Sequence, residues 1–513
     1  MNRVSLAPSN LMKIEEFAGG VAVSADTIAT NAILGKYADG SVYITQRPAF
    51  NIQDDASVVT SDIRGRGIYF WQALGDNILV NNATVYRGGY SLALTTLITA
   101  GRDRVYFAES GQYLMIVDPE NNEGWYMHVS TPTTITKITS AGFPPNQTPA
   151  LQLARGCVAL NGTFYVMDVN GTIWNSAVDD PTTWSATDFI DAEIENDGGI
   201  GIAKHHTSLV AIGSKTIEFF QDVANPTGSP LKRRSDINYR VGGVKMDSFA
   251  QSQDVIFFIG VSEGGHASVK MLVDYSIRTI SHNDLSALLS SAIFADNIKI
   301  VAAAFSTGNS TDLAITTLYD DGVNYVPLQT FVWQSEYDFW SVWKFANTGY
   351  TTAPIVSWAS GKATISNAGQ GMTILGDIMT IADDFNPQDL TLAQIYVAPG
   401  YVEPGYISDT GQSGNVIHFE YQFGRRDFGT RARKRHHSLR INCDEISSGT
   451  VTIAWADDQN KTFNTGRSID PTQISSKIRR LGMSRQRNYK LTHDLSDQFR
   501  ISGIELEITG ARD

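Results

Sequence analysis

The sequence predicts an all-β protein built around a β-propeller, and three observations support this fold class. First, the chain from Arg155 to Val223 contains two successive blade-like units, each with a short alternating strand, a turn and a second strand rich in aromatic and β-branched residues. Second, Asn161-Gly162 lies between two apolar runs, a strong hairpin signal because both residues tolerate positive φ. Third, similar strand pairs recur at a spacing of roughly 40–50 residues, which is typical of four-stranded blades.

These repeats predict a propeller of six to eight blades over residues 51–370. The strand pairs are expected at Gly67–Tyr86, Arg104–Val117, Cys157–Trp174, Leu209–Phe220, Val255–Leu272, Leu313–Val332 and Ile355–Ile365. One short helix is predicted among them, because Ser281 to Asp284 provides a cap for an apolar run from Leu285 to Phe294.

The two ends of the chain differ from the blade-like repeats in their sequence pattern. Residues 1–50 form an N-terminal segment with a short strand at Ser41–Gln46, and residues 371–415 are rich in turn signals typical of a linker with extended loops. Residues 416–513 predict a separate antiparallel, sandwich-like β domain. Its strands are expected at Val416–Phe423, His437–Asn442, Val451–Trp455 and Ile501–Ile508. We expect the N-terminal segment to complete this domain.

Composition limits the class of protein further. With 42% hydrophobic and 18% charged residues, the chain can bury a large core. No apolar run approaches the 18 or so residues that span a bilayer, so no membrane-spanning segment is predicted. Met1 to Phe17 lacks the apolar region of a signal peptide, which favours synthesis without export. The two cysteines, Cys157 and Cys443, are predicted to be free thiols of a protein made in a reducing cytosol.

Charge is unevenly distributed along the chain. Residues 401–513 carry 17 Lys/Arg and 14 Asp/Glu, whereas the first 400 residues carry 23 and 39, a net charge of −16. An acidic body argues against an open nucleic-acid-binding groove, since phosphate affinity depends on Lys and Arg. It remains compatible with a channel through which DNA slides.

The basic residues of the C-terminal domain are concentrated in two runs, which suggests that they lie on one face. Their positions predict a surface for an acidic partner protein or for phosphate; the alternative is that they are solvated strand ends and loops. The residues of this predicted surface are Arg425, Arg426, Arg431, Arg433, Lys434, Arg435, Lys477, Arg479, Arg480, Arg485, Arg487 and Lys490.

No catalytic, cofactor-binding or metal-binding residues are predicted. His205-His206 and His436-His437 lack further ligands at metal-site spacing, so they are interpreted as polar turn or strand residues. Asp168 to Trp174 is similar to the Asp-box turn of sialidase-type propellers, in which the carboxylate caps backbone amides and is structural. The pairs Asp179-Asp180 and Asp383-Asp384 are interpreted as turn and capping groups. This scarcity of chemistry favours a scaffold or assembly role over an enzyme.

Several segments together resemble one family, the packaged-DNA stabilisation (tail hub or nozzle) proteins of short-tailed, podovirus-type bacteriophages. The most specific match is Trp174 to Phe220, with its DDPTTW turn, its Gly-Ile-Gly-Ile segment and IGSKTIEFF. The other matching segments are ADGSVYITQRPAFNI (Ala38–Ile52), Gly65–Gly88, Arg240–Ser281 and the C-terminal pattern RRDFGTRARKR…KIRRLGMSRQRNYKL…GIELEI. The stretch 375–415 has no counterpart in this resemblance.

The resemblance implies a structural virion protein of a phage tail, made in the cytoplasm of the host bacterium. It implies a ring of several copies, typically six, below the portal and its head-to-tail adaptor proteins. Such a ring extends the channel for genomic DNA without sequence-specific binding, helps to retain the packaged genome, passes it during ejection, and carries tail fibres or spikes.

Two alternatives from other classes remain open on the sequence alone. One is a carbohydrate-active propeller enzyme such as a tail depolymerase, for which Asp168, Asp179 and Asp180 are the candidate carboxylates. The other is a propeller that serves as an interaction module and stays outside the virion.

Overall fold

The computed structural model describes most of the chain between residues 28 and 344, together with much of the C-terminal region. The described residues are 2–6, 28–47, 50–52, 65–87, 92–344 with gaps at 193, 196, 226, 253, 262–264, 294, 308–309, 321 and 323–324, then 379–381, and 418–510 with gaps at 429–431, 445–448, 459–461, 474–475 and 496–498. The chain divides into two compact units, which we call the propeller unit and the terminal unit.

The propeller unit, Phe50–Thr330 with Pro354–Pro404, consists of antiparallel sheets formed by consecutive strands. Blade 1 contains β6 (Gly65–Trp71), β7 (Asp76–Asn81), β8 (Thr84–Arg87) and β9 (Leu92–Ala93). Blade 2 contains β10 (Tyr106–Ser110), β11 (Tyr113–Asp118), β12 (Glu123–His128) and β13 (Ile135–Lys137). Blade 3 contains β14 (Val158–Leu160), β15 (Thr163–Met167), β16 (Thr172–Ala177) and β17 (Asp180–Asp191).

Blade 4 repeats this pattern, whereas blades 5 and 6 vary it. Blade 4 contains β18 (Gly199–His205), β19 (Ser208–Gly213), β20 (Ile217–Asp222) and β21 (Leu231–Tyr239). Blade 5 contains β22 (Gly242–Gly243), β23 (Phe249–Ser252), β24 (Val255–Val261), β25 (Ala267–Val273) and β26 (Ser276–Thr279), with β22 and β23 both paired to β24. Blade 6 begins with β27 (Ile298–Thr307) and β28 (Ser310–Asp320) and continues into β29 (Tyr325–Gln334). A further short pair joins β5 (Phe50–Ile52) to β31 (Met379–Ile381).

The predicted all-β propeller is confirmed, and the described residues contain six blade-like sheets. The strand pair predicted at Ile355–Ile365 lies outside the described residues. The predicted helix is present as α1 (Asn283–Ile293), which buries Leu285 and Leu289. No helix within the described part of the chain has the length and apolarity needed to cross a bilayer.

Blade 3 shows how the sequence produces this packing. Asn161 and Gly162 have φ values of 48° and 88°, as a tight hairpin between β14 and β15 requires. Because side chains alternate along a strand, β15 sends Phe164 and Val166 into one hydrophobic cluster and Tyr165 and Met167 into another. Every side chain of β15 is buried, because a blade between two neighbours is covered on both faces.

The terminal unit combines Met1–Ala49, Phe331–Ala353 and Gly405–Asp513. Its strands are β1 (Asn2–Leu6), β2 (Ile28–Thr30), β3 (Ala32–Lys36), β4 (Val42–Gln46), β30 (Phe339–Trp343), β32 (Phe419–Gln422), β33 (Lys434–Cys443), β34 (Val451–Asp457), β35 (Arg467–Ile469), β36 (Lys477–Arg479), β37 (Met483–Ser484), β38 (Arg487–His493) and β39 (Ile501–Gly510). The N-terminal strands pair directly with C-terminal ones, β1 and β4 with β39 and β2 with β32. The N-terminal segment therefore completes the C-terminal domain, as the sequence predicted.

Strand pairing also explains why Phe331–Ala353, which the sequence analysis assigned to the propeller, is grouped with the chain ends. Strand β30 runs parallel to β2 and pairs with it at Thr30 and Val342. Around these strands lies a hydrophobic core that includes Phe339, Phe419, Tyr421, Leu439, Ile453, Leu491, Phe499 and Leu506. Both cysteines of the chain, Cys157 and Cys443, are free.

Candidate interaction surface

The two basic runs meet at one edge of a sheet in the terminal unit. Strand β33 carries the end of the first run, and it pairs antiparallel with β36 and β37, which carry the start of the second. In this register Arg440 lies opposite Lys477, and Arg435 lies opposite Met483. The backbone N–H of Arg480 also donates to the carbonyl oxygen of His437 at 2.8 Å. Pairing of the strands therefore concentrates the cations in one place.

Six of the predicted residues form an exposed group, which we call the cationic edge. None of the six makes a salt bridge to another residue that the structure describes, although the positive charges of Arg485 and Arg433 interact with the carboxylate of Asp458. They are Arg433, Arg435, Lys477, Arg479, Arg480 and Arg485. Met483, whose side chain is 47% exposed, lies opposite Arg435 and adds an apolar contact to the edge.

Two predicted surface residues are buried instead and are therefore excluded from the candidate surface. Arg487 forms a two-pronged salt bridge with Asp457, at 2.5 and 3.0 Å, and its guanidinium lies over the ring of Trp455. Lys434 donates from Nζ to the carbonyl oxygens of Ala432 and Arg485 at 2.8 and 2.7 Å. Both side chains are buried in their strands, and their charges bind groups within the terminal unit.

The remaining predicted residues lie at the margin. Arg425 and Arg426 are half-buried, and the backbone of Arg426 pairs with that of Arg487. Lys490 is also half-buried, and its Nζ lies 3.4 Å from a carboxylate oxygen of Glu420. Arg431 lies outside the described residues.

A second group of charged residues, in the propeller unit, was not predicted from the sequence. We call Asp103, Arg155, Asp247 and Lys299 the blade-end network. Asp103, Arg155 and Asp247 lie two or three residues before β10, β14 and β23, and Lys299 is the second residue of β27. Arg155 joins Asp103 at 2.7 Å to Asp247 at 3.1 Å, and Lys299 contacts both carboxylates.

The electrostatics of this network favour the charged forms. Burial alone would raise the pKa of Asp247, but the neighbouring charges of Arg155 and Lys299 hold it well below its ordinary value. Burial would likewise lower the pKa of Lys299, but Asp247 and Asp103 raise it above that of an ordinary lysine. Two carboxylates and two cations therefore balance one another inside the unit, with Tyr106 Oη donating to Asp247 at 2.8 Å.

Side chains from four blades meet at this point. The ring of Tyr106, from blade 2, stacks on that of Phe249, from blade 5, with centroids 5.9 Å apart. Arg104 donates to the carbonyl oxygen of Ala302 at 2.8 Å and joins blade 2 to blade 6. The place where these first strands converge is therefore filled by packed rings and paired charges.

Of the three carboxylates considered as catalytic candidates, Asp168 and Asp180 have structural partners, whereas Asp179 is exposed. Asp168 is buried and accepts hydrogen bonds from the amides of Asn170 and Thr172, at 2.8 and 3.2 Å, and from the indole of Trp174, at 3.2 Å. Asp180 accepts from the amide and hydroxyl of Thr182 at 2.8 and 2.6 Å. The turn and capping roles predicted for Asp168 and Asp180 are confirmed, whereas Asp383-Asp384 lies outside the described residues.

The paired histidines are also embedded in local contacts. The Nε2 of His205, a fully buried residue, accepts from the amide of Tyr275 at 3.2 Å. His206 lies 3.3 Å from Asp254 and bridges blades 4 and 5. His436 contacts Ser484 at 2.9 Å and Tyr489 at 3.1 Å, and burial followed by the charges of Arg487 and Lys434 lowers its pKa to about 3.

Comparison of the sequence with models of known protein families matches one family. A family model for phage stabilisation proteins, described as "Bacteriophage P22 Gp10, beta-propeller", matches residues 37–374. No curated protein is significantly similar to the chain.

The chain also matches solved structures with which it shares little sequence. A computationally designed protein, Ika8, has 10% identity and a TM-score of 0.33, with 72% of this chain and 97% of that one covered. The WD40 β-propeller domain of Doa1 has 13% identity and a TM-score of 0.33, covering 62% and 89%. A chain of the Mitotic Checkpoint Complex has 11% identity and a TM-score of 0.35, covering 68% and 94%.

Proposed function

Because this chain belongs to the Bacteriophage P22 Gp10 β-propeller family of phage stabilisation proteins, we propose that it is a hub or nozzle subunit of a phage tail. Several copies, six by the resemblance, form a ring below the portal and its adaptor. The ring extends the DNA channel, helps to retain the packaged genome and passes it during ejection. Tail fibres or spikes attach to its outside.

The observation that carries this proposal is the family match over residues 37–374, which covers the described blades. Charge supports it, because the first 400 residues have a net charge of −16 and would repel a DNA backbone that slides past. Retention of the genome then comes from a narrowed or plugged exit, since tight DNA binding would hinder ejection.

The filled convergence point of the blades supports a particular route for the DNA. Tyr106, Phe249 and the blade-end network fill the space where side chains of blades 2, 3, 5 and 6 meet, which leaves no room there for a duplex. A DNA channel therefore lies between copies of the chain, and each propeller acts as a rigid wall of that channel.

The alternative of a carbohydrate-active enzyme receives no support from the site. Its first candidate, Asp168, is occupied by two backbone amides and an indole, and Asp180 by its own turn. A non-enzymatic structural role agrees better with both the geometry and the family.

The proposal is tested by removing the protein from the virion. A stop codon at Trp174 in the phage genome is expected to give heads that fill with DNA and then leak it, measured as nuclease-sensitive DNA in purified particles over time. A synonymous change at a neighbouring codon serves as the matched control, and supplying the intact chain from a plasmid should restore retention.

Particles that keep their DNA but fail to adsorb to cells would contradict the gatekeeping role. The chain would then be a peripheral receptor-binding component. Particles identical to wild type in both respects would place the protein outside the virion.

A further inference from the structure

The cationic edge has the chemistry of one half of a protein interface. Five of its six cations are arginines, whose planar guanidinium groups pair with carboxylates in two-pronged geometry. Met483 is exposed and lies opposite Arg435 in the strand pairing, and a flexible thioether is a common apolar contact at binding surfaces. A matching surface needs carboxylates around an exposed apolar centre.

The propeller unit presents such a surface at the tips of blades 3 and 4. Val178 and Val223 are 66% and 44% exposed, and they are flanked by Asp179 and Asp222. The turn at Asn161-Gly162 joins the two tips: Asn161 Nδ2 donates to Asp222 at 2.8 Å, and a Cβ added at Gly162 would come within 2.7 Å of Asp179 Oδ1. We call these four residues, Val178, Asp179, Asp222 and Val223, the acidic tip.

We propose that the cationic edge of one copy of this chain binds the acidic tip of the next copy. The inference rests on the ring of the proposed function and names one contact that holds it. An interface between two different patches is heterologous, so every copy offers one patch of each kind and the contact repeats from copy to copy in the proposed ring. Complementary charge sets the register, and the exposed Met483, Val178 and Val223 supply the dry centre.

A second copy fits the cationic edge better than nucleic acid does. A phosphate backbone offers nothing apolar to cover Met483, whereas the acidic tip offers two valines. The chain also carries its own excess of carboxylates, since its first 400 residues have a net charge of −16. A second copy of the chain therefore supplies the negative charge that the cationic edge requires.

The test uses charge reversal in two separate full-length chains. One chain carries Arg435→Glu with Arg485→Glu, and the other carries Asp179→Lys. Each variant alone places like charges opposite one another in the contact. Its self-association constant, measured by sedimentation velocity at low salt, is therefore expected to fall at least about tenfold. An equimolar mixture restores complementary charge at every contact and is expected to recover the association of wild type.

Matched controls separate the contact from general charge effects. Asp274→Lys makes the same change at another hairpin tip, where the aspartate also has positive φ, and Lys204→Glu reverses an exposed cation of the propeller unit. Both are expected to associate like wild type. Circular dichroism and melting temperature confirm that each variant is folded.

Three outcomes would overturn the inference. The wild type could stay monomeric at about 100 µM and low salt, where exposed charges are least screened. The mixture could fail to recover self-association, or an edge variant could keep self-association and lose binding only to DNA or to the adaptor. None of these touches the leakage test with the Trp174 stop codon. Failure of the proposed function and failure of this inference can therefore be told apart.

Discussion

Neutralising one carboxylate of the blade-end network gives the sharpest test of how the propeller unit is held together. Asp247→Asn preserves shape and leaves an oxygen that can accept from Tyr106, but it removes one of two negative charges. Arg155 and Lys299, at 3.1 and 2.8 Å from the lost charge, would then share Asp103 alone. Leaving a buried charge without its partner costs about 3–5 kcal/mol, so the free energy of unfolding should fall by that amount.

The assay is chemical denaturation of the full-length chain followed by tryptophan fluorescence. The matched control is Asp320→Asn, which breaks a half-exposed pair with Arg102 at 3.0 Å and should cost less than about 1 kcal/mol. The double variant Asp247→Asn with Lys299→Met restores the balance of charge. It should be more stable than the sum of the single changes predicts, by at least about 1.5 kcal/mol.

The pH dependence follows from the directions of the pKa shifts. The lowered pKa of Asp247 contributes stability that is present above the ordinary carboxyl range and is lost as the pH falls through the folded-state pKa. The raised pKa of Lys299 contributes stability that is present below the ordinary lysine pKa and is lost only as the pH rises through its folded-state pKa. The network should therefore be insensitive to pH across the neutral range. A loss below about 1 kcal/mol for Asp247→Asn, or simple additivity in the double variant, would refute this account.

Three further predictions concern single groups. Asp168→Ala leaves buried donors without an acceptor and should destabilise the propeller unit by about 2–4 kcal/mol in the same denaturation assay, whereas Asp188→Ala, at a half-exposed side chain, should change little. Burial lowers the pKa values of His436 and His493 to about 3, so only the unfolded chain takes up protons as the pH falls below about 6.5, and the terminal unit should then lose stability. His493→Phe should flatten this pH dependence, and an unchanged slope of stability against pH in calorimetry would contradict the prediction. Burial and Asp444 raise the pKa of Cys443 to about 11, so iodoacetamide at pH 8 should label it slowly in the folded chain and rapidly in urea, as mass spectrometry would measure.

Local patterns were sufficient to predict the blades. The Asn161-Gly162 hairpin and the alternation of β15 depend only on neighbouring residues, and the structure has both where the sequence predicted them. The capped helix α1 was predictable for the same reason. The completion of the C-terminal domain by the N-terminal segment was an expectation from architecture, and the pairing of β1 and β4 with β39 confirms it.

The sites were harder to predict because they depend on contacts between distant residues. Asp103 and Lys299 are 196 residues apart, and only the convergence of the blades brings them together. A weak signal existed, since each network carboxylate lies two or three residues before a strand of its blade. The burial of Lys434 was also hidden, because the register shift between His436 and Ser438 changes which residues of β33 point inward.

The pairing of β4 with β39 has a consequence for biosynthesis. About 450 residues separate these strands, and at roughly 5–20 residues per second the ribosome needs on the order of half a minute or more to make them. During that time β3 and β4 wait as an unfinished hairpin with exposed edges, while the blades fold one after another behind them. The cationic edge is assembled on β33, which itself needs β39 as a neighbour. Prematurely terminated chains therefore lack the surface through which we propose that copies join, and translation itself would exclude defective subunits from the ring.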